Sequence, residues 1–445
     1  MTSVPAAAAP AAFGLAEPPS FGEALRVWAK IGVLSFGGPA GQIALMHRVL
    51  VDEKRWIDEP RFLSALNFCM LLPGPEAMQL ATYVGWRLHG LKGGLAAGLL
   101  FVLPGALVIL ALSMLYAGLG KLPLVQALFV GIQAAVLAIV IEALLRVARR
   151  ALKGNLDWLI AAAAFVAIFF FKVPFPLIVM AAALLGFWRG GGAAAPAASA
   201  VMPVPVSALQ TARTVAVGLV IWIVPLLAIA AAFGSGHVLT ELGWFFSKLA
   251  VVTFGGAYAV LAYVAQDVVQ HYRWLSPGEM LDGLGLAETT PGPLILVTEF
   301  VGFLAAFREG GGNPWLLGTL GAIVTLWATF APCFLWIFAG APYIERLNAE
   351  PKLKSALAAV TAAVVGVILN LTVWFGLHVL FAGLHHVNIG PLAVLAPDLA
   401  TLSLKALLLA ATAFLLLFVL HRSVLTTLAV CSALAVGAFA LGLGS

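Results

Sequence analysis

Apolar runs close to 20 residues long, separated by short polar joints, recur along most of the chain. That is the length at which an α-helix spans the hydrocarbon layer of a bilayer. In the first half, Ala24 to Leu50 is apolar but interrupted at Gly37-Gly38-Pro39, and Phe62 to Leu88 is interrupted at Pro73-Gly74-Pro75. Proline and paired glycines break the helical ladder, so each stretch predicts two half-length helices meeting at a tip. Four later runs read as continuous or merely kinked spans: Leu95 to Leu119, Leu124 to Val147, Leu156 to Phe171 and Phe175 to Trp188. A further span, Thr214 to Phe233, precedes a second half with the same plan. Its broken runs are Leu242 to Val269 and Met280 to Phe307, and its spans are Trp315 to Ala339, Leu353 to Leu380, Leu402 to Leu420 and Val424 to Leu441.

The halves are related residue by residue. Ser35-Phe36-Gly37-Gly38 returns as Thr253-Phe254-Gly255-Gly256, Arg55-Trp56 as Arg273-Trp274, and Pro73-Gly74-Pro75 as Pro291-Gly292-Pro293; 253−35, 273−55 and 291−73 are all 218. Lys30 and Lys248 share this register. Beyond an insertion around Arg308 to Pro314 the offset becomes 228, matching Pro104 with Pro332 and Pro123 with Pro351. Two homologous halves in a strongly apolar chain are the mark of a transporter with its site at the repeat interface.

Composition and charge refine this picture. Of 445 residues, 62% are hydrophobic and 10% charged, against about 25% charged in soluble domains. The net charge of +5 sits at the ends of apolar spans, a positive-inside pattern rather than a nucleic-acid footprint. Basic residues cluster at Arg48, Lys54, Arg55 and Arg61, at Arg87 and Lys92, and from Arg146 to Lys153, whereas the Gly120–Pro123 loop holds only Lys121. The second half reverses this bias: the counterpart of the poor loop holds Arg346, Lys352 and Lys354, and Leu377 to Pro391 holds no Lys or Arg. The expected fold is therefore an all-α integral membrane protein, a polytopic transporter of two inverted-topology repeats with broken, re-entrant helical hairpins. Nine full crossings and four hairpins close the topology, with Arg55 cytoplasmic and Arg273 on the opposite side. The expected divisions are a disordered tail (1–20), a first membrane repeat (21–188), a flexible linker (189–213), a connecting transmembrane helix (214–233) and a second membrane repeat (241–445). Cys69, Cys333 and Cys431 are isolated in apolar runs and read as packing residues.

Irregular backbone at membrane depth is tolerated only where protein or a water-filled cavity surrounds it. Four breaks at equivalent places therefore point to one shared cavity. Half-helix N-termini there offer unpaired N–H groups and the positive end of the dipole, a ready oxyanion site, and Pro39, Pro75 and Pro293 suit first helical positions. The candidate substrate-binding set is Lys30, Ser35, Gly37, Gly38, Gln42, Gly74, Gln79, Lys248, Thr253, Gly255, Gly256, Thr290 and Gly292. For Lys30 and Lys248, snorkelling to the interface is the alternative to anion capture. Gln42 and Gln79 can donate to an anion or bond between helices. Glu76, Glu288 and Glu299 are candidate proton-coupling residues, since a carboxyl in an apolar cavity can carry a proton; Glu76 equally suits a helix dipole. Glu142 and Arg146 read as a structural i,i+4 pair, and His385-His386 as an exposed loop pair. No nucleophile set, phosphate loop or metal-ligand spacing is found, so the chain reads as no enzyme, with no cofactor and no metal.

The ordered motifs Phe36-Gly37-Gly38-Pro39 with Gln42, Arg55-Trp56, and Pro73-Gly74-Pro75 with Gln79, with their second-half sisters, resemble the chromate ion transporter family in its long-chain, two-half form. The resemblance covers about residues 20 to 445 and departs at Ala257, where the first half has Pro39. It implies proton-driven chromate efflux across the cytoplasmic (inner) membrane of a prokaryote, giving chromate resistance. The implied partners are a small inorganic oxyanion (chromate, with sulfate as an alternative), protons and the lipid bilayer, with a homodimer open to it and no nucleic acid. A sulfate or other oxyanion carrier and a passive anion channel are the competing readings.

Overall fold

A computed structural model describes residues 19–190, 207–252, 254, 257–344, 347, 350–389 and 392–442. Residues 1–18 of the expected tail and 191–206 of the expected linker lie outside the described residues. The described chain forms sixteen helices and one two-stranded hairpin.

Helix α1 (Phe21–Leu34) is opened by Ser20, whose hydroxyl accepts the Glu23 N–H, and it ends at the first break. Gly37, at φ 86°, starts α2 (Gly38–His47) with Pro39 in its first turn. A π-helical turn, Arg48–Glu53, follows. It is closed by Arg55 in the left-handed region (φ 53°) and by the Trp56 N–H donating to Leu50 O at 2.8 Å. The second half repeats this device after α9 (Val238–Val252) and α10 (Ala257–Gln266). There a π turn at Asp267–His271 is closed by Arg273 (φ 57°) and by the Trp274 N–H donating to Val268 O at 3.0 Å. The duplicated Arg-Trp motif is thus a duplicated turn.

The helices that flank a break fold back on one another. Glu23 and Lys54, 2.7 Å apart, tie the start of α1 to the end of its π turn. In the second half, α11 (Pro277–Thr289) runs to the Thr290–Pro293 break, and a 3-10 turn (Leu294–Leu296) leads into α12 (Val297–Glu309). A Cβ on Gly283 would sit 2.5 Å from the Phe300 ring. At the open end Arg308 grips Glu279 in a two-pronged pair at 3.1 and 2.5 Å. In the first half α3 (Glu59–Leu71) leads through Pro73-Gly74-Pro75 into α4 (Glu76–Leu119).

Helix α4 is two helices, not one: the backbone reverses at His89 (φ −136°) and Gly90 (φ 61°). Gly85 and Gly93 face each other across this bend so closely that a Cβ on Gly93 would sit 2.2 Å from Gly85 O. In the second half α12 and α13 (Pro314–Gly340) form the same bend, with Gly321 against Gly302 O at 2.3 Å from the equivalent Cβ position. The second arm of α4 and α13 then run antiparallel, Gly94 facing Phe338 and Gly98 facing Phe334.

The remaining helices lock the halves together. Helices α5 (Pro123–Ala151), α6 (Asn155–Phe171) and α7 (Phe175–Arg189) close the first half. Their counterparts are α14 (Pro351–Leu380), α15 (Leu404–Phe414, extended by a π turn to Val419) and α16 (Val424–Ala440). Helices α6 and α7 pack along α14, while α15 and α16 pack along α5. Small residues allow the approach: Gly186 lies against Ser355 O and Gly131 against Cys431 O. Helix α8 (Ala208–Phe233) begins six residues before the expected Thr214. It docks through the Trp222 indole, which donates to Ser247 Oγ at 3.1 Å.

Among the described residues, α4, α5, α8, α13 and α14 are long and apolar enough to cross a bilayer, and α6, α7, α15 and α16 are shorter apolar helices. The expected nine crossings need all nine. At about 1.5 Å per residue, the 17 residues of α6 and 15 of α7 reach only about 25 and 22 Å. Between α14 and α15, where a plain loop was expected, β1 (Leu384–Ile389) pairs antiparallel with β2 (Leu392–Pro397); His385 is exposed there.

Candidate functional site

The first break of one half meets the second break of the other. The Gly292 N–H donates to Ser35 O at 2.9 Å. The Gln42 amide, one turn into α2, donates to Gly292 O at 2.6 Å and reaches Ser35 O at 3.4 Å. The backbone irregularities of two breaks 250 residues apart thus satisfy one another, as buried polar backbone requires. Proximity depends on glycine at Gly105 of α4, where a Cβ would lie 2.1 Å from Pro291 O.

The first half's second break has a reciprocal neighbour. A Cβ on Gly74 would lie 2.8 Å from the Cys333 thiol of α13 and 2.9 Å from Gln79 Nε2. Cys333 is the residue aligned with Gly105, since 333−105 is 228. Gln79 donates to Pro73 O at 2.7 Å, while its Oε1 is buried without a hydrogen-bond partner, as is the hydroxyl of Thr329, one turn before Cys333 on α13. The helices that leave the first half's two breaks start without a side-chain hydrogen bond from their cap residues, Gly37 and Pro75.

The other expected residues distribute as follows. Ser35, Gln42, Gln79, Glu288, Thr290 and Glu299 are buried, as are Gly74 and Gly292. Gly37 faces outward and Gly38 is half-buried. Thr253, Gly255 and Gly256 lie outside the described residues. Lys30 is exposed and lines an open recess of about 560 Å³ with Glu23, Arg26 and Lys54. Lys248 is exposed on α9, within electrostatic range of Asp267. Neither lysine reaches the Ser35–Gly292 junction through a described hydrogen bond or ion pair.

The carboxyls fall into different settings. Glu288 accepts a hydrogen bond from Tyr258 at 2.7 Å. The charges of Arg146 and Glu142 act on Glu288, and that of Arg150 acts on Glu76. The Glu142–Arg146 ion pair, 2.5 Å, forms as its spacing predicts. Glu299 is 1% exposed and its Oε2 has no hydrogen-bond partner. An unpaired buried carboxylate is costly, and protonation removes the cost. Sequence reasoning passed over Asp282 on α11, which accepts from Tyr116 of α4 at 2.7 Å and from Gln133 of α5 at 2.8 Å. An acid inside the apolar run Met280 to Leu286 was the available signal.

Broken half-helices inside a bundle of apolar helices are the architecture of a multi-pass membrane transporter. The family model described as "Chromate transporter" matches residues 22–187 and 240–439, and the chain belongs to that family of transporters. It is 34% identical over 358 residues to the "Chromate transport protein" of Pseudomonas aeruginosa, covering 79% of this chain and 80% of that protein. It is 31% identical to the protein of the same name from Cupriavidus metallidurans, with 76% and 78% covered. A "Probable chromate transport protein" of Synechococcus elongatus is 30% identical, with 78% and 82% covered. No solved structure matches.

Proposed function

We propose that this protein is a secondary transporter that exports chromate across the cytoplasmic (inner) membrane of a prokaryotic cell, coupled to proton movement, and so confers chromate resistance. The observation that carries the reading is the Ser35–Gln42–Gly292 junction, where the breaks of two halves meet at uncapped helix ends. The names of the relatives add the substrate. Chromate is a tetrahedral dianion, and first-turn N–H groups at the half-helix ends suit its oxygens; the Gln42 and Gln79 amides hold the breaks in shape around it. Sulfate shares that shape and charge and is the second substrate to test. The two repeats are inverted: the antiparallel course of α4 against its counterpart α13 supports this. Lys30 and Lys248 draw the anion toward the site, and Glu76, Glu288 or Glu299 carries the proton.

The test is uptake by purified protein in proteoliposomes, comparing chromate with sulfate, with and without an imposed pH gradient. Chromate uptake that responds to the gradient is expected. Uptake indifferent to it would replace the coupled transporter with a passive anion channel, and uptake of sulfate alone would replace the substrate.

A further inference from the structure

A second recess lies apart from the junction. It has a volume of about 330 Å³ and is framed by the end of α6, the α10 π turn, α14 and the β-hairpin. Its polar lining is Lys172, Arg273, Gln266, Gln270, Asn370 and His378. No acid lines it, and neither Lys172 nor Arg273 forms an ion pair among the described residues. Asp267, on the π turn that frames it, is engaged by Tyr263. Lys172 (φ 54°) ends α6 and Arg273 (φ 57°) closes the π turn after α10, so both cations stand on defined turns. A cation at a helix C-terminus would account for Lys172 alone; it does not account for two cations and three amides around one hollow.

The first half shows what this place looks like when its charge is balanced internally. By the 218 and 228 registers, Gln266, Gln270 and Arg273 correspond to Arg48, Asp52 and Arg55, and Asn370 and His378 to Glu142 and Arg150. There Arg48 pairs with Glu53 and Arg146 with Glu142. In the second half the acids Asp52, Glu53 and Glu142 have become Gln270, His271 and Asn370. The acids at these three positions of one repeat are missing from the other, whose one added acid, Asp267 in place of Val49, is engaged by Tyr263, while hydrogen-bond donors remain.

We propose that this recess is an oxyanion vestibule, a second site that holds a tetrahedral dianion between Lys172 and Arg273 on its way to or from the junction. The assignment of the dianion as transported substrate rests on the function proposed above. A phospholipid headgroup shares the chemistry, so the test separates the two.

Val269 is half-buried and lines the recess, and the native cysteines are buried, so Val269→Cys gives one thiol in the full chain that opens to the recess. Because chromate oxidises thiols, sulfate is the probe. Sulfate should slow labelling by a charged thiol reagent, and chloride at equal ionic strength should not. Lys172→Gln or Arg273→Gln should raise the half-protecting sulfate concentration about tenfold, the loss of one charge-assisted contact. Protection by sulfate no better than chloride, or insensitive to both substitutions, overturns the vestibule. So does protection that needs phosphatidylglycerol in the bilayer and ignores sulfate, since the occupant is then a headgroup. Chromate uptake by wild-type proteoliposomes is measured in parallel. Protection without uptake retains the vestibule and refutes the proposed function, whereas uptake without protection does the reverse.

Discussion

Replacing Gln42 with valine should unfasten the two halves where their breaks meet. Gln42 is 1% exposed, and its amide donates at 2.6 Å to Gly292 O. Valine fills part of the space but donates nothing, leaving the buried Gly292 carbonyl without its side-chain partner, a loss of about 1–3 kcal/mol. The Gly292 N–H bond to Ser35 O is untouched, so the break loosens without dissolving. Valine is a tolerated neighbour for this backbone, because the aligned second-half residue is Val260 (260−42 is 218). If the junction forms in one of two transport conformations, the same free energy shifts their balance by about 5- to 150-fold. The thermal unfolding midpoint in detergent should fall by a few degrees, and chromate uptake in proteoliposomes should change in proportion to the population shift.

Gln79→Val is the control. Its amide donates to Pro73 O of its own break and reaches the other half only at the Cys333 thiol, a weak partner, so it should lower the unfolding midpoint while leaving transport kinetics nearer to wild type. Unchanged stability and uptake in Gln42→Val, or an equal kinetic defect in Gln79→Val, would refute the reasoning that the inter-half bond is special.

Three further outcomes are expected. Gly105→Val drives a side chain into Pro291 O, a backbone clash at the upper end of the roughly 1–3 kcal/mol cost of overpacking; membrane insertion should persist while uptake is lost, and normal uptake would contradict the close approach. Glu299→Gln keeps shape and removes the titratable proton, so chromate binding should persist while uptake stops responding to an imposed pH gradient; a full response moves coupling to Glu76 or Glu288. Single cysteines at Arg55 and Arg273 should label from opposite sides of the membrane, and labelling from one side would end the inverted-repeat proposal.

Much of this was legible because the informative signals were local and repeated. The breaks at Gly37-Gly38-Pro39 and Pro73-Gly74-Pro75 announce themselves by backbone chemistry, and a doubled Arg-Trp marks a doubled π turn. What escaped depends on the third dimension. The joint between Leu88 and Leu95 was legible, and the backbone turns there at His89 and Gly90; that Gly85 and Gly93 face each other across it was not. Asp282 is an acid in an apolar run, but its partners Tyr116 and Gln133 sit on α4 and α5, more than 140 residues away. Lys30 and Lys248 match in register yet lie exposed, because register fixes which residues are equivalent and not which face of a helix they occupy.

The pattern of symmetry carries a mechanistic argument of its own. Features kept in both halves are those that shape the backbone: the left-handed Arg55 and Arg273, the bends at Gly93 and Gly321, and the prolines Pro104 and Pro332. Features that differ are those that bear charge or donate hydrogen bonds. Glu76, Glu288 and Glu299 align with Leu294, Met70 and Ala81, Asp282 aligns with Ser64, and Gln42 aligns with Val260. A perfectly symmetric pair of inverted repeats would present the same site to both sides of the membrane and have no preferred direction of proton uptake. Confining the buried carboxyls to unequal positions lets protonation favour one orientation over the other, because only a differential interaction with two states can shift their balance. Placing an acid at Leu294, the repeat counterpart of Glu76, should therefore weaken the response to a pH gradient more than it weakens chromate binding, and gradient-driven uptake equal to wild type in Leu294→Glu would show that the asymmetry is incidental.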